Sequence, residues 1–253
     1  MRTTIIEVKD LVKRYGDFEA VKGISFDVKE GEIFGLLGPN GAGKSTTLEI
    51  IETLREKTSG EVIVDGLNLD THPNEIKQII GVQLQTSGYY PGLNLVELLN
   101  LFSGLYNEKI DPYVFLDKVN LRDKAKSKYK EMSGGQKQRF SIATTLINKP
   151  KIIFLDEPTT GLDPQARRNL WELIKEIRAN GTTVIITTHY MDEAEVLCDR
   201  VAIVDNGRII AIASPDQLID DLIAKGFERT KEVKKANLED VFIQLTGHEW
   251  RAE

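Results

Sequence analysis

Apolar and polar residues alternate in short runs along the first third of the chain, and turn-forming residues separate the runs. This spacing predicts β-strands at TIIEVKDL, AVKGISFDV, EIFGLLG and GEVIVDG. The EIFGLLG strand ends in glycine, and the helix-forming segment LEIIETL follows it after a short loop. The pattern therefore predicts a β-rich N-terminal region that contains a strand, a glycine loop and a helix in succession.

The pattern becomes helical in the middle of the chain, from Asn94 to about Lys128. The apolar residues at helical spacing are Leu95, Leu98, Leu99, Phe102 and Leu105. Spacing of this kind gives a helix one apolar face. We interpret the segment as a helical insertion.

Three α/β units follow the insertion. They are KIIFLD with PQARRNLWELIKEIRAN, TTVIITTH with MDEAEVL, and the paired runs of RVAIVDNGRIIAIA. Apolar runs such as IIFL and VIIT are typical of strands buried on both faces of a parallel sheet. DNG predicts a hairpin turn. Asp163 and Pro164 suit a helix start, Asn180-Gly181 suits its end, and Ser214 with Gln217 has capping-box spacing.

The composition narrows the class of protein. The chain has 253 residues, of which 41% are hydrophobic, and a net charge of −6, so we expect no nucleic-acid partner. The single cysteine, Cys198, excludes an intrachain disulfide and is expected to be a buried structural thiol. The N-terminus lacks the apolar core of a signal peptide, and no run approaches the ~18 apolar residues that cross a bilayer. We therefore expect no transmembrane segment in the chain itself.

The segment GPNGAGKST matches the phosphate-binding pattern G-x-x-x-x-G-K-[ST] between a strand and a helix. Its glycines let backbone N–H groups surround a polyphosphate, its lysine reaches the terminal phosphates, and its serine hydroxyl suits Mg²⁺. The candidate residues are Gly38, Pro39, Asn40, Gly41, Ala42, Gly43, Lys44, Ser45 and Thr46. We predict a nucleotide site here.

Acidic and imidazole groups follow the next apolar strands. Asp156 and Glu157 end KIIFLDEP, where the first suits Mg²⁺ and the second suits the proton of an attacking water. His189 ends VIITTH. Ligands of open α/β sheets lie beyond the carboxyl ends of the strands, so these groups are expected to converge with Gly38.

The stretch MSGGQKQRF places two glycines where a helix begins. One interpretation is a helix N-cap at Ser133 followed by a flexible loop. The other is a helix N-terminus left bare so that an anion can approach its N–H groups closely. The stretch by itself leaves both open.

With these motifs in order, the chain resembles the ATP-binding subunit of an ABC transporter from about Ile5 to Thr246. The resemblance implies a P-loop NTPase (RecA-like) core, a subclass of α/β folds, with an N-terminal antiparallel β subdomain and an inserted α-helical subdomain. It implies one ABC ATPase domain over 1–253, with its core in 1–86 and 150–215, the helical part in 87–149 and a short tail in 216–253.

The resemblance also implies residue roles, with ATP and Mg²⁺ as cofactors. The catalytic residues would be Glu157, His189, Gln85 and Lys44, and the metal residues Ser45, Gln85 and Asp156. Besides the P-loop, nucleotide would contact Tyr15, Ser133, Gly134, Gly135, Gln136 and Asp163. Met132 and Thr160 replace a more usual leucine and serine, with little expected consequence.

Family members work as pairs, so the resemblance implies a second nucleotide-binding domain, from another copy or a close paralogue, that completes each ATP site. It further implies separately encoded permease subunits that hold the chain at the cytoplasmic face of the membrane. The tail NLEDVFIQLTG resembles those of drug and antibiotic exporters. Tyr89 and Tyr90 are expected either to contact the permease or to pack internally. The alternative function is a non-transport ABC ATPase in regulation, repair or translation.

Overall fold

The computed structural model describes residues 3–83 and 88–227. Contacts divide the chain into two units, residues 1–217 and 218–253. The strands are β1 (Thr4–Tyr15), β2 (Phe18–Lys29), β3 (Ile33–Leu37), β4 (Ser59–Val64), β5 (Leu67–Asn68), β6 (Ile80–Gln83), β7 (Ile152–Asp156), β8 (Thr183–Thr188), β9 (Arg200–Asp205) and β10 (Arg208–Ala213). The helices are α1 (Lys44–Ile51), α2 (Pro73–Ile79), α3 (Leu95–Leu105), α4 (Pro112–Lys118), α5 (Gly134–Thr145), α6 (Pro164–Ala179), α7 (Met191–Leu197) and α8 (Pro215–Ala224).

The N-terminal strands form a four-stranded antiparallel sheet in the order β2-β1-β4-β5. Val8 of β1 pairs with Phe26 of β2 on one side and with Val62 of β4 on the other. The three side chains are buried, so this sheet contributes one face to the core. The predicted N-terminal β region is present.

The second sheet has six strands in the order β10-β9-β3-β8-β7-β6. β3 pairs in parallel with both β8 and β9, and β7 pairs in parallel with both β8 and β6. All residues of β3, β7 and β8 are buried, as their apolar runs predict. β10 is antiparallel to β9 and closes the predicted hairpin at DNG. The prediction of an α/β fold is confirmed.

One hydrophobic core joins residues of both sheets with helix α1. Phe26 of the antiparallel sheet stacks on Phe34 of the parallel sheet, with ring centroids 5.4 Å apart and planes inclined by 4°. Stacked aromatic pairs bury large apolar surfaces with a defined geometry. The pair therefore fixes the antiparallel sheet close to β3, the strand that leads into the phosphate-binding segment.

The segment predicted to be helical forms α3 and α4, joined by a turn in which Asn107 has a φ of 54°. A capping box between Asn94 and Glu97 starts α3, and the Asp111 side chain caps α4. Tyr89 packs edge-on against Phe102 and Phe140, and its hydroxyl lies 2.8 Å from that of Thr144. Tyr89 therefore packs internally, whereas Tyr90 is exposed.

Other boundaries follow the capping residues. The Asp163 carboxylate accepts a hydrogen bond of 2.8 Å from Ala166 N at the start of α6, and Asn180 ends the same helix. Ser214 accepts one from Gln217 N before α8. Cys198 is buried as predicted, and burial raises the pKa of its thiol.

Helix α2 and strand β6 were not predicted from the sequence, although Pro73 at the first position of α2 is a helix-start signal. Helix α2 and edge strand β6 follow one another directly at Ile79 and Ile80, with no turn-forming residue between them. Punctuation by glycine or proline is the strongest local marker of a boundary, and this boundary has none.

In the second unit, residues 218–224 are helical, and Ile219, Leu222 and Ile223 are exposed. The predicted tail helix at NLEDVFIQLTG lies outside the described residues. Among the residues that are described, none of the helices has the length and apolar character needed to cross a membrane.

Two glycine substitutions test the packing of β6. A Cβ at Gly81 would lie 2.3 Å from Thr145 O, whereas a Cβ at Gly104 in α3 would meet no atom within 4 Å. We expect Gly81→Ala to lower the free energy of unfolding by about 1–3 kcal/mol through overpacking. Gly104→Ala should raise it by roughly 0.5–1 kcal/mol because alanine favours helix. Urea denaturation measures both changes, and equal effects would contradict the packing described here.

Candidate functional site

The phosphate-binding segment connects β3 to α1. A Cβ at Gly38 would lie 2.1 Å from Val204 O, so only glycine permits the loop to run this close to β9. Gly43 is the N-cap of α1 with a φ of 99°, and no side chain caps the helix. The first N–H groups of α1 therefore remain available to an external acceptor, and the helix dipole favours an anion there.

Lys44 is buried at the start of α1. Its Nζ donates hydrogen bonds of 2.8 Å to Gly38 O and 3.0 Å to Pro39 O, and lies 3.7 Å from Glu157 Oε1. Burial lowers the pKa of Lys44, while the charges of Glu157 and Asp156 act in the opposite direction. A buried ammonium group at a helix N-terminus suits a polyanionic ligand, which would add negative charge around it.

Asp156 ends β7 beside the P-loop. Its Oδ1 accepts a hydrogen bond of 3.1 Å from the Ser45 hydroxyl and another from the Thr187 hydroxyl. Hydroxyl and carboxylate oxygens are the hard ligands that Mg²⁺ prefers, and it commonly takes only one or two carboxylates together with phosphate oxygens and water. The described residues contain no group of three or more His, Cys, Asp or Glu side chains able to hold a metal. Ser45 and Asp156 supply one hydroxyl and one carboxylate, a donor set that fits Mg²⁺ bound together with a phosphate ligand.

Glu157 follows β7 in a left-handed conformation with a φ of 46°. Its N–H donates to Thr187 O at 3.2 Å and to Thr187 Oγ1 at 3.0 Å. On its side chain, Oε2 accepts a hydrogen bond of 3.2 Å from Thr160, and Oε1 lies 3.3 Å from His189 Nδ1. Strained backbone at a non-glycine residue is concentrated at functional sites. Here it turns the carboxylate toward both Lys44 and His189.

Sequence reasoning missed Thr187. Its hydroxyl contacts both Asp156 and Glu157, although it lies inside an apolar strand. The available signal was the pair of threonines that interrupts VIITTH before the histidine. A buried hydroxyl needs a partner, so a polar residue in a buried strand indicates a polar neighbour.

The Ser133–Gln136 segment begins α5. Ser133 accepts a hydrogen bond from Gln136 N, and Gln136 Oε1 accepts one from Ser133 N, which completes a capping box. A Cβ at Gly135 would lie 2.9 Å from Ala166 Cβ, whereas at Gly134 the nearest atom would be Leu162 Cδ2 at 3.8 Å. Within residues 3–83 and 88–227, no hydrogen bond joins this segment to the P-loop.

The remaining predicted residues lie apart from this centre or outside the described residues. Tyr15 is 42% exposed at the end of β1, with Lys13 Nζ 5.2 Å and Arg55 Cζ 5.4 Å from its ring centroid. Asp163 is an exposed helix cap. Gln85 lies outside the described residues. The structure thus brings the P-loop, Asp156, Glu157 and His189 together, and leaves Ser133 to Gln136 elsewhere on the surface.

Residues 21–160 match the family model described as ABC transporter. The chain belongs to the ABC transporter family. The predictions of an ABC ATPase, of its P-loop NTPase fold and of ATP binding are confirmed at the level of the family.

Two curated relatives extend the match to nearly the whole chain. The probable multidrug ABC transporter ATP-binding protein YbhF of Escherichia coli is 41% identical over 99% of this chain. This chain spans only 43% of the length of YbhF. The Nod factor export ATP-binding protein I of Burkholderia orbicola is 36% identical, and the match covers 98% of this chain and 99% of that protein.

A solved structure similar to this one is a dimeric ATP-binding cassette in a post-hydrolysis state, bound to ADP and Pi. The two chains are 30% identical with a TM-score of 0.74, and the match covers 83% of this chain and 98% of the other.

The C-cap of α1, Glu52, gives a pH-dependent prediction. Its side chain is buried, its Oε1 has no hydrogen-bond partner, and burial raises its pKa from an ordinary 4.5 to about 8, helped by Asp156 and Glu49. The folded chain thus keeps a proton that the unfolded chain releases between pH 4.5 and 8. Stability from this group is therefore lost as pH rises through that range.

We expect Glu52→Gln to remove this loss. The free energy of unfolding of the variant relative to the unchanged chain should increase from pH 5 to pH 8, by at most about 1.4 kcal/mol per pH unit. Urea denaturation in EDTA, without nucleotide, measures the difference. Glu56→Gln, at an exposed neighbouring site, is the control. Equal pH slopes for both variants would contradict the assignment to Glu52.

Proposed function

We propose that this chain is the ATP-hydrolysing subunit that powers an ABC exporter. The observation that carries the proposal is the meeting of the P-loop, Asp156, Glu157 and His189 at one edge of the parallel sheet. The names of the relatives, a multidrug transporter protein and a Nod factor exporter protein, support export over import.

Each group has a role in this proposal. The N-terminus of α1 and Lys44 bind the phosphates of ATP, and Ser45, Asp156 and Gln85 hold Mg²⁺. When bound, the metal would neutralise charge on the phosphates. Tyr15 offers an exposed ring to adenine. Its hairpin reaches the P-loop, since Ala20 O lies where a Cβ of Gly43 would clash.

Glu157 accepts the proton of the water that attacks the γ-phosphate. Its carboxylate is suited to this because Thr160 holds one oxygen while His189 and Lys44 face the other. His189 lies at 3.3 Å from that oxygen and orients it toward the phosphate. A carboxylate fixed by its neighbours loses little entropy on reaction.

The second half of each ATP site comes from another nucleotide-binding domain, either a second copy or a close paralogue. The exposed Ser133 and Gly134 and the α5 N-terminus support this proposal, because they present donors to solvent and, among the described residues, form no hydrogen bond with the P-loop of the same chain. Asp163 lies at the seam between the domains. The dimeric solved relative is consistent with this arrangement.

The partners in the membrane are separately encoded permease subunits. The helical part of the chain exposes Tyr90, Leu101 and Leu105, which suit an apolar contact with cytoplasmic permease helices. Through that contact the chain works at the cytoplasmic face of the membrane. In this proposal the core comprises 1–86 and 150–215, the permease-binding part 87–149 and the tail 216–253.

The first test measures the size of Glu157→Gln in solution with Mg-ATP or Mg-ADP. The substitution keeps the shape of the side chain and removes the proton acceptor, so bound ATP should persist. We expect ATP to convert a monomer into a dimer and ADP to leave it monomeric. Light scattering after size exclusion measures the mass.

Gly134→Asp in the same background is the matched control. Its new Cβ meets only Leu162 at 3.8 Å, and aspartate suits the first turn of a helix, so the monomer should fold. Its charge would face the γ-phosphate and should abolish the dimer while ATP binding continues. A dimer that survives Gly134→Asp, or a monomer that stays single with ATP bound, would contradict a homodimer closed by this segment.

A further inference from the structure

Glu193 of α7 is a carboxyl group inside the protein, with no exposed surface. Its Oε1 accepts a hydrogen bond of 3.1 Å from Trp171 Nε1 of α6. Burying a carboxyl group is costly unless its environment satisfies it. The structure therefore holds Glu193 in a place where an apolar residue would be easier to bury.

The other neighbours of Glu193 lie on the two segments that carry the proposed catalytic pair. Burial raises the pKa of Glu193, while the hydroxyls of Thr188 and Thr159 and the charge of Arg167 act in the opposite direction. Thr188 directly precedes His189 in sequence, and Thr159 lies two residues after Glu157. Glu193 is therefore a buried carboxyl group beside the segments that carry His189 and Glu157, and its printed hydrogen bond is the one from Trp171.

These contacts are incomplete. Glu193 Oε2, Thr159 Oγ1 and Arg167 Nε are all buried without a hydrogen bond of good geometry. A partly satisfied buried network is costly, and its members gain when a small movement completes it.

The neighbours also explain why a carboxylate is required. Trp171 Nε1 and Arg167 donate hydrogen bonds only, and the two threonine hydroxyls are able to donate. A carboxylate presents only acceptors to these groups, and in the structure it accepts from Trp171 Nε1. A glutamine of the same shape would turn an NH₂ group toward donors.

We propose that Glu193 is a positioning residue for the reaction, which links the segments of Glu157 and His189 and holds their side chains in register. The inference rests on the proposed ATPase function. Glu193 does not touch the nucleotide and acts through His189 and Glu157. Its loss should therefore lower the rate of the chemical step and leave nucleotide affinity unchanged.

The test compares Glu193→Gln with Glu195→Gln, an exposed site on the same helix. We expect Glu193→Gln to lower kcat for ATP roughly 10- to 100-fold, as misplaced catalytic groups do, with KM and the affinity for ATP unchanged. Glu195→Gln should behave as the unchanged chain. Trp171→Phe, which removes only the donor to Oε1, should also lower kcat. This second variant keeps the inference testable if Glu193→Gln does not fold.

A double-mutant cycle with His189→Ala separates positioning from a structural role. If Glu193 acts through His189 and Glu157, Glu193→Gln should lower the single-turnover rate by a smaller factor in His189→Ala than in the unchanged chain. Multiplying effects, or a parallel fall in kcat, ATP affinity and thermal midpoint, would overturn the inference. An unchanged kcat in Glu193→Gln would overturn this inference and leave the proposed function intact. If the unchanged chain hydrolyses no ATP, both the proposed function and this inference are overturned.

Discussion

The parallel register of β3, β8 and β7 determines where the proposed catalytic groups lie. Leu37 at the end of β3 pairs with Thr188, and Asp156 at the end of β7 pairs with Thr187. The three strands therefore end at one edge, and the next residue of each enters the site. A shift of one strand by a residue would reverse the direction of its side chains, so the buried pattern of the strands also sets the chemistry.

The site holds several charged side chains, and contacts within the protein balance their charges only in part. Lys44 is buried against Glu157 and two backbone carbonyls, and Asp156 receives two hydroxyl donors on one oxygen. Groups arranged in this way repel or attract an incoming ligand strongly because the surrounding dielectric is low. Phosphate charge suits Lys44 and the α1 N-terminus, and a hard cation suits Asp156. The stability of the protein and its affinity for nucleotide therefore depend on the same side chains.

The parts of the site that depend on residues close together along the chain could be predicted from the sequence. The P-loop at Gly38, the carboxylates at a strand end and the Asp163 cap each carry a local pattern that only a few structures satisfy. Thr187 and Glu193 carry no such pattern, because their partners are distant in sequence and meet only through strand pairing and helix packing. The positive φ of Glu157 could not be predicted from the sequence either, because it depends on hydrogen bonds to the neighbouring strand. Edge strand β6 lacked the turn residue that would have marked its start.

The two interpretations of the glycines in MSGGQ are compatible once the geometry is known. Ser133 and Gln136 satisfy each other as a capping box, so the serine is a true helix cap. Packing within the chain requires glycine at position 135, because a Cβ there would clash with Ala166. Gly134 has no internal requirement of this kind, and its exposed backbone suits the external anion of the proposed second ATP site. A helix can thus be capped by its own side chains and still present its N-terminus to phosphate, since the cap occupies the third N–H and leaves the first ones available.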